Sequence, residues 1–169
     1  MSAAGRNRGS SRRRPRRGAG EAAGAIDMGL LPELLGYHLR CAHIAVFQHF
    51  ARSVGTADIS APQLGTLLLI ERNPGMSQSA VAEALRFDRS TLVQIIDRLE
   101  QRKLVVRAVS EHDRRSHALA LTEAGAKLLA RLKELLREHE ASIAASLTPA
   151  ERSALIALLE RLHSPATRG

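Results

Sequence analysis

Two adjacent arginines, Arg114 and Arg115, follow an aspartate in the stretch SEHDRRSHALALT, residues 110–122. Asp113 lies two positions before Arg115 and can hold that guanidinium in a bidentate salt bridge. An arginine oriented in this way can enter the narrow, strongly negative minor groove of DNA. The alternative is an exposed salt bridge worth about 0–1 kcal/mol, with no further role. These residue types indicate a partner that carries negative charge.

A second group of polar residues shares one side of a predicted helix over residues 88–102. The opposite side is apolar at helical spacing, which predicts that it faces the core. A helix in the major groove contacts base edges through its N-terminal residues, and each arginine–guanine or glutamine–adenine pair contributes about 1–3 kcal/mol of discrimination. Taken alone, an ordinary amphipathic surface helix explains the pattern better. The outer side carries Arg89, Ser90, Val93, Gln94, Asp97 and Arg98.

The elements around this helix favour the DNA-binding interpretation. Ser77 can cap a short helix before it and Asp88 can cap the helix itself, with a short turn at Phe87 between the two. This arrangement is a helix-turn-helix. Residues 104–108 and 117–121 then alternate as two strands, so the arginine-rich stretch becomes the tip of a hairpin. A helix-turn-helix followed by such a wing is a stronger signal than either part alone.

Longer helices flank this unit and are apolar enough to need a partner. Residues 29–54 are apolar almost all round, which predicts a helix that packs against another subunit. Ser60 begins a capping box for the next helix, and Thr122 can cap a long helix over about 123–146. A last helix starts within TPAE, residues 148–151. The chain is therefore predicted to be mainly helical.

Charge and composition limit the classes of function. The net charge is +8, but residues 1–20 hold seven arginines and no acid. This predicts a disordered basic arm, residues 1–27, which adds salt-sensitive affinity for DNA or serves only to keep the chain soluble. With no Trp, one Tyr and three Phe, the chain lacks the stacking platforms of a single-strand binder. The sequence contains no Gly-rich phosphate loop, nucleophile elbow or paired acid–base motif, so no enzymatic activity is predicted.

Cysteine usage and hydropathy predict a cytoplasmic protein. Cys41 is the single cysteine, which excludes an intrachain disulfide and fits a reducing compartment. No apolar run approaches the roughly 20 residues of a membrane span. The N-terminal arginines are not followed by the apolar core of a secretory signal.

Several motifs, in order and at consistent spacing, resemble the MarR family of winged helix-turn-helix transcriptional regulators. They are ISAPQLGTLLLI (59–70), SQSAVAEAL (77–85), DRSTLVQIIDRLEQRKLVVR (88–107) and DRRSHALALTEAGAKLL (113–129). The resemblance implies a mainly α fold with a small β-hairpin wing, acting as a homodimer on double-stranded DNA at a palindromic operator. Its domain would be 28–163, with dimerisation helices at 28–56 and 123–163, a winged helix-turn-helix at 57–122 and a tail at 164–169.

The same resemblance implies which side chains contact DNA. Dimer half-sites would lie about 34–36 Å apart, one turn of the duplex. The residues that would contact DNA are Ser77, Gln78, Arg89, Ser90, Thr91, Val93, Gln94, Arg98, Arg114 and Arg115.

The resemblance leaves open what the protein senses. Residues 31–50 look like the first helix of the subgroup that controls hydroxycinnamate and aromatic-compound degradation, which implies a phenolic acid or its coenzyme A thioester as the small-molecule effector. Polar side chains on this helix could meet a phenol, a carboxylate or a phosphate, or they could be ordinary interface residues. These candidate ligand-binding residues are Tyr37, His38, Arg40, His43 and Gln48.

Redox and metal sensing are the other two interpretations. Cys41 lies mid-helix in apolar company, where a thiol is usually inert. His38, His43, His112 and residues 138–140 lack the paired spacing on one face that a zinc site requires. We therefore predict no metal and no cofactor.

The sequence thus predicts a DNA-binding transcriptional regulator, a ligand-responsive repressor with no membrane partner. The alternatives are a redox-responsive regulator acting through Cys41 and a non-sequence-specific DNA-binding or helical interaction protein.

Overall fold

The fold is that of a computed structural model, which describes residues 26–109 and 117–163. The wing tip with Asp113, Arg114 and Arg115 lies outside the described residues, as do His112, nearly all of the arm 1–27 and the tail 164–169. The described part contains six α-helices and a two-stranded antiparallel hairpin. Their bounds are α1 Leu35–Arg52, α2 Ala61–Arg72, α3 Gln78–Leu85, α4 Arg89–Gln101, β1 Val105–Val109, β2 His117–Leu121, α5 Glu123–Ile143 and α6 Pro149–His163.

The predicted helix starts are confirmed by the hydrogen bonds at each cap. At α2, the Ser60 amide donates to Gln63 Oε1 at 2.9 Å, while Ser60 Oγ accepts from the Gln63 amide, which completes the capping box. The side chains of Ser77, Asp88 and Thr122 each accept from the backbone amide three residues later. Each cap satisfies one amide that the first helical turn cannot pair.

The predicted single helix over 29–54 is wrong at both ends. Leu31–Glu33 form a separate 3-10 turn, Leu34 is extended, and α1 begins only at Leu35. In a helix starting at residue 29, Pro32 would lack its amide hydrogen bond and its ring would clash with the preceding turn. At the other end, α1 stops at Arg52 and a short 3-10 helix follows.

The first strand and the long helix also differ from their predicted bounds. β1 begins at Val105 rather than at residue 104, because the Leu104 amide donates to the Leu99 carbonyl and closes the end of α4. Lys103 adopts φ +57° to allow this. Helix α5 ends at Ile143 rather than near residue 146. Beyond this end the Ala145 amide donates to the carbonyl three residues before it, instead of four as in an α-helix.

The core lies between α2, α4, α5 and the base of the hairpin. Leucine, isoleucine and valine fill it, because the chain has few aromatic residues. The fully buried large side chains include Leu67, Ile70, Leu92, Ile96, Leu99, Leu119, Leu129 and Leu132.

The terminal helices expose apolar faces, as their composition predicts. α6 has no buried residue, and faces of this kind on a single chain mark a protein–protein contact. None of the described helices combines the length and apolarity needed to cross a membrane. The exposed apolar side chains of α1 and α6 are Leu35, Leu39, Ile44, Phe47, Leu155, Ile156, Leu158 and Leu162.

A pair of histidines connects α1 to α5. Nδ1 of His139, a buried residue, lies 2.7 Å from Nδ1 of His49, and the Phe50 ring meets His139 edge-on. Burial lowers the pKa of His139, and the neighbouring His49 lowers it further. His139 therefore resists protonation in the folded state.

This lowered pKa predicts that stability falls as the pH is lowered from about 7.5 to 5.5. The unfolded chain takes up a proton at His139 near the ordinary value of about 6.5, whereas the folded chain does so only at lower pH. Stability therefore decreases through this window, by at most about 1.4 kcal/mol per pH unit for one proton, and levels off below the folded-state pKa. Across this range the melting temperature of His139→Gln should depend less on pH than that of the parent protein. His163→Gln, at an exposed position, is the control, and equal slopes for the two variants would contradict the assignment.

Candidate nucleic-acid interface

Helices α3 and α4 form the predicted helix-turn-helix. α3 ends at Leu85, the next residue Arg86 turns the chain with a φ of 55°, and the Phe87 amide donates to the Ala82 carbonyl at 2.9 Å. Phe87 packs against the core, and Asp88 then begins α4. The turn is short because both helix ends are closed by local hydrogen bonds.

Asp88 organises the first turn of α4. Its carboxylate accepts from the Thr91 amide at 2.8 Å and from the hydroxyls of Ser90 and Thr91. These bonds hold the pKa of Asp88 well below its usual range, and the bond from the Ser90 hydroxyl contributes most. The two hydroxyls predicted to contact DNA thus donate their protons within the protein, which leaves their lone pairs for an outside donor.

The outer face of α4 is exposed at the positions predicted to read DNA. Arg89, Gln94 and Arg98 are exposed, and Val93 is an exposed apolar side chain between them. Within the described residues, neither Arg89 nor Gln94 has a hydrogen-bond or ion-pair partner, so both side chains are available for one outside the chain. The inner face carries the buried residues of this helix: Leu92, Ile95, Ile96 and Leu99.

Asp97 is not a free member of this face. Its carboxylate accepts from Arg107 of β1 at 2.5 Å, and Glu100 accepts from the same guanidinium. Sequence reasoning did not assign a role to Arg107. The sequence did contain a signal for its position. Arg107 comes two residues after Val105 in a predicted strand, and alternate strand residues share a face.

Ser77 and Gln78 are half-buried at the start of α3. Ser77 Oγ accepts from the Ala80 amide at 3.2 Å, and Ser77 also forms a bridge with Ala118 of β2. Ser77 therefore has a structural role in connecting α3 to the hairpin. Its contact with DNA, like that of Gln78, stays a prediction.

A cavity of about 650 Å³ lies behind the recognition face, between α1, the start of α2 and the end of α4. Phe47 and Phe50 contribute aromatic rings to its lining, and Gln63, Arg98 and Arg102 contribute polar groups. The Arg102 guanidinium donates to the Asp58 carbonyl and lies 3.7 Å from its carboxylate. Arg98 thus borders both the outer face of α4 and this cavity. Sequence reasoning missed the cavity residues other than Arg98, because they come from helices far apart along the chain.

The five predicted ligand-binding residues do not line this cavity. Tyr37 is half-buried, the other four are exposed along α1, and His38 Nε2 lies 2.8 Å from the Pro32 carbonyl. The His43 ring stacks on Phe47, which lines the cavity, at 4.2 Å between centroids. Their role in binding a ligand stays a prediction.

The expectation that Cys41 is shielded by apolar neighbours is wrong for this chain. Cys41 is exposed, because α1 stands at the surface of the single subunit. A hydrogen bond with Cys41 raises the pKa of Tyr37. Within residues 26–109 and 117–163, histidine, cysteine and acidic side chains form no group of three that could hold a metal ion.

Comparison with known proteins identifies close relatives. The MarR family profile matches residues 57–116. A transcriptional regulatory protein for the hcr operon of Thauera aromatica is 43% identical over 130 residues, which are 76% of this chain and 78% of that protein. The transcriptional repressor CouR bound to a 23-mer DNA duplex superposes with a TM-score of 0.78 at 40% identity, covering 82% of this chain and 98% of that one. CouR bound to p-coumaroyl-CoA gives 0.76 at 37% identity, covering 83% and 100%.

Proposed function

The chain belongs to the MarR family of transcriptional regulators, and we propose that it is a repressor that leaves its operator when an aromatic acid or its coenzyme A thioester enters the cavity behind α4. The observation that carries this proposal is the position of α4. Its outer face is exposed for DNA while its C-terminal end borders a cavity of ligand size. One helix can therefore respond to both partners.

DNA is bound by a dimer, since MarR proteins are dimers. The exposed apolar faces of α1 and α6 are the surfaces that a second copy would cover. In the proposed mode, each α4 lies in a major groove of a palindromic site, with Arg89 and Gln94 at base edges. Ser77, Gln78, Arg114 and Arg115 are proposed to contact the flanking backbone and minor groove.

The effector is proposed from the chemistry of the cavity and from the relative that binds p-coumaroyl-CoA. A volume of about 650 Å³ falls within the range of about 300–1,000 Å³ typical of small-molecule sites. Phe47 and Phe50 can pack against an aromatic ring, while Arg98 and Arg102 can pair with a carboxylate or phosphate. An anion held by Arg98 would draw this side chain away from DNA.

Regulation of this kind requires two binding events and no covalent step, so we assign no catalytic role to the chain. We place the protein in the cytoplasm, with the DNA that it regulates.

The proposed function is tested by selecting duplexes from a random pool and then adding effectors to the complex. We expect a palindromic sequence to be enriched at moderate salt with competitor DNA present. Aromatic acids or their coenzyme A thioesters should raise the melting temperature of the protein by mass action and release the DNA. Enrichment of no sequence would favour a non-specific DNA-binding or helical interaction protein. Release by peroxide, abolished in Cys41→Ser, would favour the redox alternative.

Gln94→Ala is expected to change which sequences are enriched rather than only how tightly they bind. An adenine contact contributes about 1–3 kcal/mol of discrimination, so its removal should relax the preference at one position of each half-site. Repeating the selection measures this directly. Gln101→Ala, at the other end of the same helix, is the matched control and should keep the original preference. An unchanged preference for Gln94→Ala would remove this residue from base recognition.

A further inference from the structure

Arg107 occupies an unusual position, on the face of the hairpin that points into the protein. Its cross-strand partner is Leu119, which is fully buried, and Val105 on the same face is buried as well. The Arg107 side chain is 20% exposed. A guanidinium placed there requires partners, because a charge removed from water without them is strongly unfavourable.

Both partners come from the recognition helix. One terminal nitrogen of Arg107 donates to Asp97 and the other donates to Glu100. These carboxylates are three residues apart on α4 and therefore lie on the same side of the helix. The Nε atom is buried with no hydrogen-bond partner among the described residues, and within that part of the chain the two carboxylates are the groups that pair with the guanidinium. A planar guanidinium can bridge two carboxylates in this way, whereas an ammonium acts as a point charge.

The two strands of the hairpin are attached to the domain by different means. β2 is fixed by backbone hydrogen bonds, from the Leu119 amide to the Met76 carbonyl at 3.0 Å and from the Gly75 amide to the Leu119 carbonyl at 2.9 Å. β1 follows α4 after a short turn and pairs with β2 along its length, and Arg107 adds an ion-pair connection from β1 back to that helix. The Arg107 bridge therefore constrains the angle between the recognition helix and the hairpin.

We propose that Arg107 is a positioning residue that sets where the hairpin meets DNA when α4 lies in the major groove. This inference rests on the proposed DNA-binding role of α4 and the wing. Each strand residue adds about 3.3 Å of length, so a small change of tilt at Arg107 grows along the hairpin. The bridge acts on DNA through this geometry, without Arg107 touching DNA itself.

The test compares two ways of breaking the bridge on the operator found by selection. Arg107→Gln removes the cation, and the double variant Asp97→Asn with Glu100→Gln removes the acids but keeps Arg107. Charge alone predicts opposite effects, because removing acids should tighten binding to phosphates and removing a cation should weaken it. Positioning predicts the same effect for both variants. Hydroxyl-radical footprints should show weaker protection in the flanking minor groove and unchanged protection at the centre, and the salt slope should fall by about 0.9 for each phosphate that the wing no longer neutralises.

Lys133→Gln is the matched control. Lys133 pairs with Glu71 at 2.6 Å, with side chains 34% and 30% exposed, and connects α5 to α2. Removing this ion pair should lower the melting temperature without changing the footprint. If Arg107→Gln does not fold, Asp97→Asn alone breaks half of the bridge and should show the same weakening of flanking protection to a smaller degree.

Flanking protection that survives in both bridge variants would overturn the positioning role, as would tighter binding by the acid-free double variant. A wild-type chain that protects no site would overturn the proposed function, and this inference with it.

Discussion

Gly125→Ala is expected to destabilise the protein by at least the 1–3 kcal/mol typical of an overpacked core, and to displace the hairpin. A Cβ at residue 125 would lie 2.0 Å from the Leu104 carbonyl oxygen and 2.9 Å from its carbon. Both are backbone atoms and cannot rotate away. The Leu104 carbonyl also accepts from the Thr122 amide at 3.0 Å, and the Leu104 amide donates to the Leu99 carbonyl. Moving Leu104 would therefore disrupt the end of α4 and the start of α5 together.

Helix propensity alone would make Gly125→Ala stabilising. A loss of stability in this variant would therefore come from the contact with Leu104. Alanine is favoured over glycine within a helix by about 0.5–1 kcal/mol. Gly65→Ala on α2 is the control, since its Cβ would meet only Leu85 Cδ2 at 3.9 Å, an ordinary contact. Denaturant unfolding should show Gly65→Ala to be as stable as the parent or more stable, and Gly125→Ala to be much less stable. Equal stability of the two variants would contradict the close approach of Gly125 on α5 to the Leu104 backbone at the start of the hairpin.

Val93→Glu is expected to reduce operator affinity by about 5- to 150-fold, the equivalent of about 1–3 kcal/mol. Val93 is an exposed apolar side chain on the outer face of α4. If this face enters the major groove, a carboxylate there meets the phosphate field of the duplex, and like charges brought together are strongly unfavourable. The fold should tolerate the change, because the position is not part of the core.

Val93→Lys provides the matched comparison, because it removes the same valine and adds the opposite charge. Its affinity should stay within about tenfold of the parent and should depend more steeply on salt. Titrations at several salt concentrations measure both quantities, and melting temperatures check that the two variants remain equally folded. Equal affinity for the two variants would show that this face of α4 does not approach DNA.

The sequence alone determined the elements that rest on local interactions. Ser60, Ser77, Asp88 and Thr122 were predicted as caps and act as caps, because each bonds an amide three residues away. Spacing along α4 separated its buried face from its exposed one, since helical geometry fixes that relation. The helix-turn-helix, the hairpin and the family resemblance all followed from motifs that are continuous along the chain.

Tertiary structure alone decided the interactions between residues far apart in sequence. His49 meets His139 across 90 positions, and only the packing of α5 on the wing base makes a glycine necessary at residue 125. The cavity behind α4 joins the rings of α1 to Arg102 at the end of α4, so polar residues counted along α1 did not identify its lining. Periodicity states which face of an element is buried, but not which other element covers it. The partners of a buried or charged group are therefore set by the three-dimensional packing.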